Sequence, residues 1–319
     1  MSHTITRRAL GGAALATLAV SQTRAAAPSE IRIDWATYNP VSLILKDQGL
    51  LEKEFAKDNI KIRWVMSAGS NKALEFLNAG SLDFGSTAGA AALIAKVNGN
   101  PLKSVYVFSR PEWTALVTQK DSAIKTVADL KGQRVAVTRG TDPHIFLVRA
   151  LATAGLTEKD VKLVLLQHAD GRTALERGDV VAWAGLDPMM AASEVESGAR
   201  LFYRKPEANT WGVLNVSEAF ASANPALVRR VLAVYETARI WCLAHPAELK
   251  ASMMTATKLS DPVISKQLER TDISSGKIGK VQAETIVAAG KALQEAGVLD
   301  AKLDMAAITT GMIDPSFLA

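Results

Sequence analysis

Small polar residues recur where apolar runs end, and the chemistry they offer is anion binding. Leu82-Asp83-Phe84 runs into Gly85-Ser86-Thr87 and then an Ala-rich segment ending at Leu93. Ile60–Met66 runs into Ser67-Ala68-Gly69-Ser70-Asn71, and Val135-Ala136-Val137 runs into Arg139-Gly140-Thr141-Asp142-Pro143. Each reads as a strand, a small polar turn and a helix start. The first N–H groups of a helix lack intrahelical partners, and the macrodipole adds partial positive charge there. Hydroxyl donors and close-approaching glycine backbone complete a seat for an anion. Any one such turn is equally an ordinary capped helix start; the repetition is what points to a site.

The elements that must position these turns alternate. Strands are expected at Glu30–Thr37, Ile60–Met66, Leu82–Phe84 and Leu102–Phe108, then at Trp113–Thr118, Arg134–Val137, Val161–Leu166, Val180–Ala184 and Ala199–Tyr203. Helices fall between them. Asn39-Pro40 supplies an N-cap and a first helical residue, and Asn224-Pro225 does so for a long helix broken at His245-Pro246. The remainder reads as helical to the C-terminus. Alternating strands and helices predict parallel sheets covered on both faces, with ligands at the carboxyl ends of the strands. A helix–Gly–strand–Gly unit near Lys72–Gly85 echoes one near Thr173–Gly185, suggesting two related halves.

The 319 residues are 48% hydrophobic and 22% charged, a globular composition long enough for two domains. Arg7-Arg8, the apolar run Ala9–Val20 and Ala25-Ala26-Ala27 read as a cleavable signal peptide over residues 1–27. Its removal leaves 34 basic against 32 acidic residues, so a charge of about +2 replaces the formal +5. A nucleic-acid footprint is not supported. The single cysteine, Cys242, cannot form an intrachain disulfide and reads as a small buried hydrophobe. An exported chain without a lipid-anchor cysteine fits a periplasm. His144, His168 and His245 have no partner at metal-ligand spacing, so no metal and no cofactor is expected. Asp83-Phe84-Gly85 imitates a kinase triplet without its companions, and there is no Gly-x-Ser-x-Gly elbow.

The run from Ser67-Ala68-Gly69 through Leu77-Asn78-Ala79-Gly80-Ser81-Leu82-Asp83-Phe84-Gly85 resembles the nitrate/sulfonate/taurine group of periplasmic substrate-binding proteins of ABC importers. So do Asp129-Leu130-Lys131-Gly132 with Arg139-Gly140-Thr141, Ala150 to Leu156, and Asp179 to Pro188, where Leu186-Asp187-Pro188 stands for a frequent Trp-Asp-Pro. The resemblance covers nearly the whole mature chain and is strongest to the aliphatic-sulfonate branch. It implies two doubly wound α/β lobes joined by two hinge segments. Residues 28–112 and 214–319 would form lobe I, its C-terminal part helical and packed on that lobe, and 113–213 lobe II. It implies a monomer that performs no reaction and passes an alkanesulfonate to an inner-membrane permease. No phosphate-binding loop marks this chain as the ATPase.

A sulfonate presents three acceptor oxygens on one charge, which neutral donors can satisfy. The candidates for the head are Asn39, Ser67, Gly69, Ser86, Thr87, Gly140 and Thr141, each also explicable as a cap. Tyr38, Trp113 and Trp211 could wall the tail or simply pack. Asp187 could face an amino group on the tail or cap the helix at Pro188, and Arg139 could pair with the head or lie exposed. The rivals are taurine, nitrate or an aromatic sulfonate as ligand, and an enzyme on the same lobes resembling the pyrimidine-precursor synthases. The latter would be expected to show clustered His and Cys.

Overall fold

The computed structural model describes residues 28–318. The signal-peptide reading of residues 1–27 lies outside the described residues. Two sheets carry the fold. The first is six-stranded and built from β1 (Glu30–Trp35), β2 (Lys61–Met66), β3 (Phe84–Ala88), β4 (Leu102–Pro111), β10 (Gly212–Ser217) and β11 (Thr271–Asp272), ordered β11-β4-β10-β3-β1-β2. The second is five-stranded and built from β5 (Leu116–Thr118), β6 (Arg134–Val137), β7 (Lys162–Leu165), β8 (Ala182–Ala184) and β9 (Arg200–Tyr203), ordered β7-β6-β8-β5-β9.

Neither sheet is purely parallel, a departure from the expectation. β1, β2 and β3 run parallel, as do β6, β7 and β8, but β10 is antiparallel to β3 and β4, and β5 to β8 and β9. The reversed strands are the first that the chain enters after crossing between lobes. The chain leaves β4 at the cleft edge, crosses through residues 112–115 and enters the second sheet from that same edge. It returns through residues 204–211 and enters β10 likewise.

The helices of the lobes are α1 (Pro40–Asp47), α2 (Leu50–Phe55), α3 (Ser70–Asn78) and α4 (Gly89–Val97), then α5 (Asp142–Thr153), α6 (His168–Glu176) and α7 (Met189–Ser197). After β10 the chain is almost wholly helical: α8 (Glu218–Ala223), α9 (Pro225–Ala244), α10 (Pro246–Thr257), α11 (Asp261–Glu269), α12 (Lys280–Glu295) and α13 (Met305–Met312). α9 buries Val228, Val231, Leu232 and Tyr235 in the core of the first lobe, a stripe at helical spacing. α12 also reaches the second lobe: Ala289 and Leu293 pack with Ala90 of α4 and with Ile145 and Val148 of α5. Cys242 is buried in the first core.

One local reading changes. Ser86 and Thr87 are not a turn; they are the middle of β3, paired with Leu214 and Val213 of β10. The partner strand lies more than 120 residues away and is invisible to a local pattern. Gly85 and Gly89 make room for packing: a Cβ at Gly85 would lie 2.9 Å from the Leu77 side chain, and one at Gly89 2.7 Å from Ile286.

Candidate functional site

Three helix starts meet between the two lobes. Ser70 opens α3, Asp142 opens α5 and His168 opens α6, and all three line one enclosed cavity with Thr141 and Pro143. Tyr38, Trp113 and Leu186 complete its wall. The cavity measures about 10 Å³, about room for one water. The lobes touch around it. A Cβ built on Gly69 would lie 3.0 Å from His168 Nε2, and one on Gly140, whose φ is +77°, 3.7 Å from Asn71 Cβ.

Ser70 is the side-chain donor that this wall leaves free. Ser70 Oγ accepts from Ala88 N at 3.0 Å, which leaves its own hydrogen for the cavity side. The first residues of α3, α5 and α6 all line this space, where helix starts leave backbone N–H groups without intrahelical partners. Among the described residues no lysine or arginine lines the cavity; Asp142 and His168 are its acid and its imidazole. Thr141 hydroxyl donates to Thr138 O at 2.6 Å, leaving its lone pairs outward. Ser67 is buried beside the α3 start, its Oγ without a hydrogen-bond partner.

Asn39, Ser86 and Thr87 lie behind the wall in the first lobe. Asn39 caps α1 through Oδ1, accepting from Ser42 N, and its Nδ2 donates to Ser86 Oγ at 2.8 Å and Tyr235 Oη at 3.0 Å. Ser86 in turn donates through N and Oγ to the buried Asp34 carboxylate at 2.8–2.9 Å. Asn215 Nδ2 donates to Thr87 Oγ1 at 2.8 Å. Tyr38 lines the cavity with its ring, while its hydroxyl donates to Ser86 O at 3.0 Å. Burial pushes the Asp34 carboxyl up to about 6, against the Ser86 donors that pull it down.

Asp142 ties the second lobe to both crossings. Its Oδ2 accepts from Trp113 Nε1 at 2.8 Å and from Thr210 N at 3.0 Å, and its Oδ1 from Thr210 Oγ1 at 2.8 Å. Thr210 Oγ1 also accepts from Ala90 N, in the first turn of α4. Trp211, at the second crossing, does not line the cavity; Arg110 stacks over its ring at 5.3 Å. Arg139 is exposed and lies 3.7 Å from Glu158, and His144 is buried with Nε2 2.8 Å from the same Glu158.

Asp187 faces away from the cavity. It is buried, its Oδ1 accepts from Ala191 N at 2.9 Å, and its Oδ2 lies 3.2 Å from Arg270 Nε. That contact is close enough for an ion pair but off the line of a hydrogen bond. Arg270 also reaches Glu194 at 2.7 Å. Burial outweighs Arg270 and holds the Asp187 carboxyl up at about 7. Arg270 stands at the end of α11, next to the strand that pairs with β4, so the cluster joins the lobes.

Ser70, Asp142, Pro143, His168 and Leu186 are wall residues that the anion-seat pattern did not single out. Three of them, Ser70, Asp142 and His168, open helices that follow strands, the same signal read a residue or so further along.

Comparison with known proteins adds an independent line. The family described as NMT1/THI5 like matches residues 54–249. A relative from Escherichia coli (strain K12), named "Putative aliphatic sulfonates-binding protein", is 33% identical over 244 residues, 76% of each chain. The alkanesulfonate-binding protein SsuA from Xanthomonas axonopodis pv. citri, solved bound to MOPS, superposes with a TM-score of 0.81 at 26% identity, over 90% of this chain and 98% of that one. The periplasmic aliphatic sulphonate binding protein SsuA from Escherichia coli superposes with a TM-score of 0.74 at 30% identity, over 87% and 91%.

Proposed function

The chain belongs to the NMT1/THI5-like family, in its periplasmic sulfonate-binding branch, and we propose that it captures an organic sulfonate between its lobes and hands it to an ABC permease. The observation that carries the reading is the meeting of three helix starts on one interlobe cavity that no lysine or arginine lines. Such a wall suits a weakly basic, singly charged oxyanion, which needs several donors more than a countercharge. Ser70, Ser67 and the backbone N–H groups at Gly69, Gly140 and Thr141 take the sulfonate oxygens. Tyr38, Trp113 and Leu186 pack the carbon tail. Asn39, Ser86 and Thr87 support the floor from behind.

The cavity has no room for a sulfonate with the lobes in this arrangement, so entry requires them to part along residues 112–115 and 204–211. Ligand contacts to both lobes then favour reclosure. Export through the signal peptide over residues 1–27 places the protein in the periplasm, as a monomer with residues 28–112 and 214–319 moving against 113–213. A thermal-shift panel of alkanesulfonates, taurine, nitrate and sulfate tests the reading: sulfonates should raise Tm in a concentration-dependent way. Turnover of any of them would support the enzyme reading instead.

A further inference from the structure

His168 presents a lone pair, not a proton, to the ligand cavity. The ring is 5% exposed. Its Nδ1 lies 3.2 Å from Thr138 Oγ1, and Thr138 has a single hydroxyl hydrogen, which goes to Leu166 O at 2.7 Å. Thr138 therefore accepts from His168 Nδ1–H, which makes Nε2 the unprotonated nitrogen of the neutral ring. Nε2 is buried and unpartnered. Burial alone drives the imidazole pKa down to about 3, so the ring stays neutral at pH 7.

A second acceptor faces the same spot from the other lobe. Asn71 Oδ1 is buried without a partner and lies 2.9 Å from the position a Gly69 Cβ would occupy, a point itself 3.0 Å from His168 Nε2. An oxyanion oxygen cannot satisfy either atom, because both are acceptors. An N–H or O–H can.

Resting on the sulfonate reading above, we infer that this cleft selects sulfonates carrying an N–H or O–H donor on the tail, with His168 Nε2 and Asn71 Oδ1 as the atoms that read it. A hydroxyl supplies one hydrogen. An ammonium supplies three and can bridge the two lobes, and its charge also balances the sulfonate in a cavity without a lysine or arginine.

Calorimetric titration of the mature protein at pH 7 tests this with three probes of nearly equal size: ethanesulfonate, 2-hydroxyethanesulfonate and 2-aminoethanesulfonate. The two donor-bearing probes should bind roughly tenfold or more tightly than ethanesulfonate, as one buried hydrogen bond allows. His168→Leu should abolish that preference, and His168→Gln, which keeps an acceptor, should retain part of it. Equal affinity for all three probes overturns the inference, as does a preference that survives in His168→Leu. A uniform loss for all three in His168→Leu assigns the residue to holding the lobes together and also overturns it. Failure of every sulfonate to bind defeats the functional reading itself. Should His168→Leu not fold, the ¹⁵N shifts of wild-type His168 still decide: a protonated Nε2 contradicts the tautomer on which the argument stands.

Discussion

Asp34 is a carboxylate sealed into the first lobe, held by the Ser86 donors with the Ser67 hydroxyl close by. Its folded pKa of about 6 lies above the ordinary 3.8, so the folded state holds the proton more tightly than the unfolded chain does. Stability from this group is complete below about pH 4 and is lost as pH rises through 6. The difference is worth up to about 3 kcal/mol. Asp34→Asn should flatten the fall in stability between about pH 4 and 6, measured by urea unfolding; an unchanged slope would show that Asp34 ionises freely. Ser70 is the matching ligand-side prediction. Its free hydroxyl hydrogen faces the cavity, so Ser70→Ala should weaken sulfonate binding by about 1–2 kcal/mol. Some stability goes with it, because Ala88 N loses its acceptor.

At the scale of elements, Asp142 turns a helix start into a junction. It holds α5 against both crossing segments through three hydrogen bonds. Asp142→Ala leaves those donors buried and unpaired, and should cost about 3 kcal/mol or more in chemical denaturation; Asp142→Asn should cost less, since one acceptor oxygen remains. Equal stability of the alanine variant would mean that the junction is not holding the crossings. The elements themselves were largely legible. Asn39-Pro40 and Asn224-Pro225 start helices, because a proline fits the first helical turn and ends no ladder there. The reading of Ser86-Thr87 as a turn was overridden by β10, whose pairing with β3 no local pattern reveals. The same limit applies to the site. Small polar residues mark strand ends equally well whether they line a cavity between the lobes, as Ser70 does, or bond a neighbouring side chain, as Ser86 does.

For the whole molecule, the two lobes are joined by Arg270 between Asp187 and Glu194, away from the cavity. Removing Arg270 takes away the cation that links Asp187 and Glu194 across the lobes. Arg270→Met should therefore disfavour the closed arrangement and lower sulfonate affinity without touching the wall, because affinity scales with the population of the competent form. Small-angle scattering should show a larger radius for the variant, and an unchanged radius with unchanged affinity would remove the cluster from closure. This coupling was not visible in sequence, where Asp187 read as a cap or a ligand group and Arg270 as one arginine among many.

The central claim is that the interlobe cavity at the starts of α3, α5 and α6 is where a sulfonate binds. Calorimetric titration of 2-hydroxyethanesulfonate into the wild type and Ser70→Ala, both shown to be folded, tests it most directly. The account predicts saturable one-to-one binding in the wild type and roughly tenfold weaker binding in the variant. Identical affinity in the two proteins, or no binding to either, would contradict it.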